Sequence, residues 1–535
     1  MQLSFRTQAV CIIACCALAY LPFCAKALHI DDPVTVYLAE QMSKNICNPQ
    51  LDSYGEMLAP WNHTLLPSSS AFYITPHPPL VPAILSIVAG IADAQPWHYT
   101  LALFPFFIGA ALFVFGLSRR LFPSRALEIS LLFSLCPLVL VNSHSIMLDL
   151  PLTALTLGSF YFLFRSDRLS NVVIAGIFCG LACLTKFTGG TICIAALVYY
   201  LLKKQYRHAA IFIGGFAAIY GIWLIHNLIV WGVPQILANG HMRYIPGDIR
   251  YRFERLISYC GATIVFPLIP LLIAAFVKSL RWPMILMSAA CGVWSFLMWK
   301  MLHYSIASAL FYAICASAGI LILYYTALYC FKNKDEQSPH KTALGVHFVL
   351  QCIGGLFLTL YASRYFLPAV FPALLGIVYI IEKIPVSKFR TQIWVLTILF
   401  SVIMSLWLSI SDFQFAGSSQ KIAQDLKKDF GGRTVHYAGR LGYLYYMNRA
   451  GFGNLIMNSD SVRAGDIVVD NKTTGDDNRY VGKVFDRLTM VRKYLYPVFG
   501  LRTIGDRAGF YGNDRLPYQW IGKNSVAEFW VYECN

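Results

Sequence analysis

Two adjacent aspartates, Asp31 and Asp32, follow the first long apolar run of this sequence, in the stretch His29-Ile30-Asp31-Asp32-Pro33. An acid held at the boundary of a low-dielectric region can act as a general base or bind a metal ion. The alternative is a solvated pair that begins a helix, with Asp32 as the N-cap and Pro33 as the first helical residue. The pair alone leaves both interpretations open.

Four further stretches place a charged or imidazole group at the end of an apolar run. They are HPPL at 77–80, MLDLP at 147–151, LTKFTGG at 184–190 and SRYFLP at 363–368. The groups concerned are His77, Asp149, Lys186 and Arg364. A lysine beside glycines, or an arginine, can bind a phosphate group. The alternatives are an ordinary boundary histidine and a lysine that extends its ammonium group to the membrane surface.

Composition indicates where these groups lie. Apolar residues make up 57% of the 535 residues and charged residues only 13%, and the mean hydropathy is +0.56. A soluble domain averages about 25% charged residues. The deficit is explained by repeated apolar runs of about 20 residues, the length that crosses a bilayer. The net charge of +16 is therefore not a nucleic-acid signal, because its Lys and Arg residues cluster between the apolar runs.

The apolar runs predict about 13 transmembrane helices. The candidate spans are 8–24, 98–117, 126–142, 150–164, 171–185, 188–202, 209–230, 259–277, 282–299, 304–330, 342–361, 365–381 and 391–411. Residues 78–92 are apolar but too short to cross, and they predict a helix at the membrane interface.

The basic clusters support this topology. With 78–92 not crossing, six basic clusters at the ends of the spans fall on one side, which the positive-inside rule makes cytoplasmic. They comprise Arg119, Arg120 and Arg125; Arg165 and Arg168; Lys203, Lys204 and Arg207; Lys278 and Arg281; Lys332, Lys334 and Lys341; Lys383, Lys388 and Arg390. The N-terminus is then cytoplasmic, whereas the first loop, 25–97, and the tail from 412 are extracytoplasmic. The acids, the lysine and the arginine singled out above converge on that outer face, which solvated loops have no reason to do repeatedly.

The tail differs in composition from the rest of the chain. Residues 412–535 contain 17 Lys and Arg and 13 Asp and Glu. Short apolar runs at 466–470 and 527–532 predict strands, and 418–430 predicts a helix. The predicted fold is therefore mainly α, a polytopic membrane protein with a small extracytoplasmic α/β domain at the C-terminus.

At this point the chain resembles the glycosyltransferase C superfamily, and most closely its bacterial branch related to protein O-mannosyltransferases and the lipid A aminoarabinose transferase. The resemblance extends over about residues 8–381. The matching stretches are Asp31-Asp32 followed by YLAEQM at 37–42, HPPL at 77–80, MLDLP at 147–151, LACLTKFTGG at 181–190 and RYFLP at 364–368.

The resemblance implies transfer of a sugar from a lipid-phosphate carrier to an acceptor outside the cytoplasm. It implies Asp31 and Asp149 as catalytic acids, and Lys186 and Arg364 as phosphate contacts. Asp32, His77 and Tyr365 complete the expected substrate-binding set. No cofactor is implied with certainty, and a divalent metal bound by Asp31, His77 or His241 is the open alternative.

The predicted protein is a membrane glycosyltransferase of the cell inner membrane, hexosyl- or pentosyl-transferring, that uses a polyprenyl-phosphate sugar and contacts membrane lipid. The transmembrane glycosyltransferase domain is expected to span 1–411 and the extracytoplasmic domain 412–535. The sequence leaves open whether the acceptor is a lipid, a glycan or a protein. The alternative function is a secondary transporter, which would place charges near mid-membrane rather than at the outer boundary.

Overall fold

The structure is a computed structural model, and it describes residues 4–58, 64–91, 93–238, 249–277, 281–301, 305–332, 335–357, 361–455, 461–473, 481, 485–504, 508–512, 514–520 and 526–535. The fold is mainly helical. Helices are the expected solution for apolar runs in lipid, because every backbone polar group finds its hydrogen-bond partner within the segment.

Most helices lie before residue 431, and one follows in the tail. They are Phe5–Tyr20, Asp32–Lys44, Ser53–Leu58, Leu80–Ala89, Pro96–Leu121, Ala126–Ser134, Pro137–Ser143, Asp149–Arg165, Leu169–Thr185, Gly190–Leu202, Tyr206–Trp231, Gln235–Ala238, Ile249–Thr263, Leu268–Phe276, Arg281–Met301, Ile306–Ala327, Ser338–Phe357, Val370–Glu382, Ser387–Phe430 and Leu441–Arg449. Short 3₁₀ segments include Phe187–Gly189 and Ser363–Ala369, which carry two of the sequence motifs.

The chain is a multi-pass membrane protein. Within the described residues six helical segments are long and apolar enough to cross a membrane, and bent pairs raise the number to eight at most. The predicted total of about 13 is not confirmed, because several predicted spans form shorter helices. Leu169–Thr185, for example, has 17 residues and reaches only about 25 Å at 1.5 Å per residue, less than the roughly 30 Å of hydrocarbon.

The first loop contains two helices near the predicted acids. Asp32–Lys44 begins one residue earlier than the capping interpretation requires, so that Asp31 rather than Asp32 is the N-cap. The Asp31 side chain makes no capping hydrogen bond, which leaves its carboxylate available for other partners. Leu80–Ala89 has ten residues, about 15 Å, and is too short to span.

The helix Ser387–Phe430, called here the long helix, connects the helical region to the tail. Its 44 residues extend about 66 Å, more than twice the thickness of the hydrocarbon. The helix predicted at 418–430 is confirmed as its last part. It runs through residue 412 without a break, so the expected boundary between the two domains falls inside one helix.

The tail forms a mixed sheet beside the long helix. Its strands are β1 (Val435–Ala438), β2 (Gly453–Asn454), β3 (Ile467–Asn471), β4 (Leu488–Pro497), β5 (Leu501–Arg502), β6 (Gln519–Trp520) and β7 (Val526–Cys534). Five of them form one sheet in the order β2-β1-β3-β7-β4, with β1 parallel to β2 and β3, and β7 antiparallel to β3 and β4. The strands predicted at 466–470 and 527–532 are confirmed as β3 and β7.

Strand β4 packs onto the projecting end of the long helix. The Tyr494 hydroxyl donates to Asp429 over 2.5 Å, and the Tyr496 hydroxyl donates to Asp425 over 2.7 Å. Beyond β4, the ring of Phe499 contacts the ring of Trp407 at 5.6 Å between centroids. These contacts lead the chain back toward the helical region, where the residues after β5 reach the predicted site.

Candidate active site

Asp31 is the accessible acid of the site. Its carboxylate Oδ2 accepts a hydrogen bond of 2.5 Å from Arg364 Nη2, and 44% of the side chain remains exposed. The preceding residue, Ile30, has φ of 49°, a left-handed conformation that is strained for a β-branched side chain. The chain therefore presents Asp31 at a tight, strained turn rather than in a relaxed loop.

Asp149 is the buried acid of the site. It begins the helix Asp149–Arg165, where the positive end of the helix dipole favours a carboxylate. Its Oδ1 accepts a hydrogen bond of 2.7 Å from Lys186 Nζ, and its Oδ2 lies 3.7 Å from Arg364 Nε. Only 4% of this side chain is exposed. Asp149 thus neutralises two buried cations at once, as buried charges require.

Lys186 is presented by the turn between two helices. It follows the helix Leu169–Thr185 in an extended conformation, with φ of −150°. A Cβ atom at Gly189 would come within 2.6 Å of the Ala182 backbone. Glycine is therefore needed here because the turn packs closely on the preceding helix. The Lys186 ammonium also lies 4.3 Å from the centre of the Tyr365 ring, a cation–π contact.

Arg364 joins the two acids. It lies on the 3₁₀ segment Ser363–Ala369 and is buried. Besides its contacts with the acids, its Nη1 lies 2.8 Å from Met147 Sδ. The charged groups therefore alternate in the order Asp31, Arg364, Asp149, Lys186. These four groups, predicted from four separate stretches of sequence, do come together in the structure.

Asp32 lies apart from this chain of ion pairs. Its Oδ2 accepts the backbone N–H of His29 at 3.0 Å, and its Oδ1 accepts the backbone N–H of Ile146 at 2.8 Å. Burial raises the pKa of this carboxyl to about 7, although Lys26 and the two N–H donors oppose the rise. Both oxygens are occupied, so this geometry suits holding two turns together rather than contacting a substrate.

His77 and the metal alternative remain predictions. His77 is half-buried, its backbone N–H donates to Thr75 Oγ1 at 3.3 Å, and its carbonyl accepts from Gln235 at 3.0 Å. His241 lies outside the described residues. Among the residues that are described, no three His, Cys, Asp or Glu side chains are grouped as metal ligands.

The sequence analysis missed a second buried charge pair beside the site. Lys26 Nζ donates to Asp412 Oδ2 at 2.9 Å, and both side chains are 2% exposed or less. Asp412 also accepts hydrogen bonds from Thr503 and Tyr511. Each charge stands alone next to an apolar run, and an ionisable residue in such a place is a functional signal by default. That signal could have identified the pair.

Comparison with known proteins supports a glycosyltransferase. Residues 76–231 match the family described as dolichyl-phosphate-mannose-protein mannosyltransferase. The match includes His77, Asp149 and Lys186, and it confirms the predicted resemblance to the glycosyltransferase C superfamily. No curated protein sequence gives a significant match to the chain.

Several solved structures are similar to most or all of the chain at low sequence identity. ArnT from Cupriavidus metallidurans, bound to undecaprenyl phosphate, is 12% identical, with 92% of this chain and 97% of that chain covered and a TM-score of 0.45. The oligosaccharyltransferase of Archaeoglobus fulgidus is 14% identical, with coverages of 87% and 69% and a TM-score of 0.47. The mycobacterial arabinofuranosyltransferase AftD is 13% identical, with coverages of 100% and 40% and a TM-score of 0.45.

Proposed function

We propose that this chain transfers a sugar from a polyprenyl-phosphate carrier to an acceptor on the extracytoplasmic face of the cell inner membrane. The observation that carries the proposal is the row of alternating charges that ends in one accessible carboxylate, Asp31. The description of the matched family, which includes a dolichyl-phosphate sugar, supports the same class of donor.

Asp31 is the proposed general base. It takes the proton from an acceptor hydroxyl as the acceptor oxygen forms a bond to the anomeric carbon of the sugar. The bond between that carbon and the phosphate oxygen breaks, and the lipid phosphate leaves with the bonding electron pair. A positioned base of this kind contributes about 10² to 10⁴ in rate.

Lys186 and Arg364 are the proposed phosphate contacts. Preorganised cations stabilise the negative charge that develops on a leaving phosphate, and both are held in place by Asp149. An arriving phosphate would compete with Asp31 for Arg364. That competition would release the Asp31 carboxylate from its ion pair when the donor is bound and leave both of its oxygens free to accept the proton of the acceptor. Asp149, which forms ion pairs with both cations, acts in this proposal by orienting them.

A nucleotide-sugar donor is the alternative to be tested. Nucleotide sugars are made in the cytoplasm, whereas the proposed site faces outward by the basic-cluster topology. The predicted inward loops of about 5 to 12 residues are also too short for a dinucleotide-binding unit, which needs roughly 30. The lipid-phosphate donor is therefore preferred on both grounds.

The test offers purified protein in detergent a nucleotide sugar and an undecaprenyl-phosphate sugar in parallel, with a cell-envelope extract as acceptor. The experiment includes hexose and pentose donors, because the sugar is not assigned. We expect label to appear in the extract only from the lipid-phosphate donor. Transfer from the nucleotide sugar alone would overturn the proposal. Mass spectrometry of envelope glycans from a deletion strain would then identify the acceptor.

A further inference from the structure

We propose that Asp412, Lys26 and Tyr511 are positioning residues. They fix the three turns that carry Asp31, Asp149 and Arg364 relative to one another. The C-terminal residues would thereby complete the site rather than form an independent accessory domain. This inference rests on the proposed function, because it assigns these residues a role through Asp31, Asp149 and Arg364 and no contact with substrate.

Asp412 is the centre of this network. Its carboxylate accepts three hydrogen bonds, from Lys26 Nζ at 2.9 Å, from the Thr503 hydroxyl at 2.7 Å and from the Tyr511 hydroxyl at 3.0 Å. The side chain is 1% exposed. A buried carboxylate with three donors has one low-energy orientation, because any other leaves buried donors unpaired. The long helix, on which Asp412 lies, thus holds the first loop and the C-terminal residues together.

Lys26 connects this centre to both acidic turns. It lies five residues before Asp31, and its ammonium group also donates to Ser145 Oγ at 2.7 Å. Ser145 lies four residues before Asp149 in the sequence. The next residue, Ile146, donates its backbone N–H back to Asp32 at 2.8 Å. The turns that carry Asp31 and Asp149 are therefore linked twice, once through Lys26 and once through Asp32.

The C-terminal residues hold the third turn. Ser363, next to Arg364, donates its hydroxyl to the Phe510 carbonyl at 3.0 Å and its N–H to the Gly509 carbonyl at 3.4 Å. The ring centre of Tyr511 lies 6.0 Å from the Arg364 guanidinium carbon. One segment of the tail thus contacts the turn of Arg364 and, through the Tyr511 hydroxyl, the Asp412 centre.

The strained backbone at Ile30 shows that the turn of Asp31 is held from outside. A β-branched residue with φ of 49° persists only where surrounding contacts over-determine the conformation. Those contacts lie just before and after it. The backbone N–H of Leu28 donates to the Tyr446 hydroxyl at 2.8 Å, and that of His29 donates to Asp32 at 3.0 Å. Loss of these hydrogen bonds would change the direction in which the Asp31 carboxylate points.

The expected consequence is a loss of turnover without loss of donor binding. Asp412→Asn keeps the side-chain shape and removes the charge that compensates Lys26. Misplacement of a reacting group by about 1 Å can lower a rate by about 10²-fold. We expect kcat per folded protein to fall at least 10-fold. The Kd for undecaprenyl phosphate, measured on the same protein in detergent, should change less than about threefold, because Lys186 and Arg364 keep their ion pairs with Asp149 in this variant.

Two controls separate positioning from general stability. Glu382→Gln removes a carboxylate that pairs with Arg125 at the same distance of 2.9 Å, but at the predicted cytoplasmic side. It should leave kcat unchanged. Lys26→Arg keeps the charge opposite Asp412 and should retain most of the turnover that Lys26→Met loses. If the pair of Lys26 and Asp412 were merely structural, its variants would lower the folded fraction and leave the kcat of the folded fraction unchanged.

Hydrogen exchange by mass spectrometry keeps this inference distinct from the proposed function. Asp412→Asn should speed exchange in peptides covering 26–32 and 145–149, whereas Glu382→Gln should not. If the wild type transfers no sugar from lipid phosphate, the proposed function fails. The exchange result alone then decides whether Asp412 fixes the turns of Asp31 and Asp149. Unchanged exchange in that case, or normal kcat in an active Asp412→Asn enzyme, would overturn the inference. Should Asp412→Asn fail to fold, Tyr511→Phe removes only a hydroxyl and carries the same test.

Discussion

Asp31 and Arg364, separated by 333 positions in the sequence, form an ion pair of 2.5 Å in which the acid is 44% exposed and the cation 4% exposed. Only one partner of this pair is open to an incoming molecule. The buried arginine is fixed by its surroundings, whereas the carboxylate can change partner without a change in fold. This asymmetry supports the proposed roles of Asp31 as the base and of Arg364 as a fixed electrostatic contact.

Asp31→Asn should lower the rate of sugar transfer at least about 10²-fold, the low end for general acid–base catalysis. The amide keeps the shape of the side chain but cannot accept the proton. Melting temperature should change little, because the acid is partly exposed and Arg364 retains Asp149. Asp52→Asn, an acid of the same loop that accepts hydrogen bonds from Tyr37 and Gln41, serves as the control. Near-normal turnover of the Asp31 variant would remove Asp31 from the mechanism.

Asp149→Asn should destabilise the protein as well as inactivate it. The change leaves the buried ammonium of Lys186 without its carboxylate partner and weakens the compensation of Arg364. Breaking a buried ion pair from one side costs about 3–5 kcal/mol. The effect is measured as a shift in the melting temperature in detergent, with the loss of monodisperse protein as the signal. A melting temperature equal to that of the wild type would show that Asp149 does not compensate these cations.

Lys186→Met should weaken the binding of undecaprenyl phosphate by about 10-fold or more, since hydrogen bonds to charged groups contribute about 1.5–3 kcal/mol. Lys203→Met is a matched control. Lys203 forms an ion pair with Asp167 of the same length, 2.7 Å, on the predicted cytoplasmic side. Equal Kd values for undecaprenyl phosphate in the two variants would contradict the assignment of Lys186 as a phosphate contact.

The predicted topology places the first loop and the tail outside the cytoplasm. All 15 cysteines lie in described residues, and Cys47 alone is exposed. A maleimide that enters the periplasm of intact cells but does not cross the inner membrane should therefore label the wild type and not the Cys47→Ser variant.

In the Cys47→Ser background, Ser53→Cys and Thr489→Cys should restore labelling, whereas Arg207→Cys should stay protected until the cells are lysed. All three positions are exposed in the fold. Protection at both Ser53→Cys and Thr489→Cys would reverse the topology.

His29 should make stability depend on pH below neutrality. Burial lowers the pKa of this imidazole to about 4 from an ordinary value of 6.5, although Asp412, 4.0 Å away, opposes the shift. The unfolded chain therefore binds a proton between pH 6.5 and 4 that the folded chain does not. The free energy of unfolding contributed by His29 falls as pH drops through this window, by at most about 1.4 kcal/mol per pH unit.

His29→Phe isolates this effect, because Phe can retain the edge-on contacts with Phe415 and Tyr511 and does not titrate. The raised pKa of Asp32 makes the folded chain more stable as pH falls over the same range, which opposes the effect of His29. The test is therefore the difference between the pH dependence of the variant and that of the wild type. Between pH 7 and pH 5 the melting temperature of the variant should fall less, or rise more, than that of the wild type. An identical pH dependence would show that His29 is not buried as a neutral group.

Sequence alone indicated a multi-pass membrane protein and selected the polar groups of the candidate site. Low charge and long apolar runs require helices in lipid, because unpaired backbone groups cannot be tolerated there. A charge beside such a run is conspicuous, which is why Asp31, Asp149, Lys186 and Arg364 could be selected. The number of spans could not be fixed in the same way. Helices such as Leu169–Thr185 are apolar enough but shorter than the bilayer, and length alone does not say how they sit in it.

Tertiary structure decided how exposed those groups are and which partners they have. Asp31 and Asp32 are chemically identical neighbours, and no local pattern distinguishes them, yet one is exposed against Arg364 and the other buried against two backbone N–H groups. Besides the nearby N–H of His29, their difference depends on partners more than 100 positions away, Ile146 for Asp32 and Arg364 for Asp31. Lys26 and Asp412 lie 386 positions apart, so the sequence can mark each charge beside its apolar run but not that the two are partners. Residue type and local pattern determine what a side chain can do, but the long-range contacts of the fold determine its burial and its partner, and so its role.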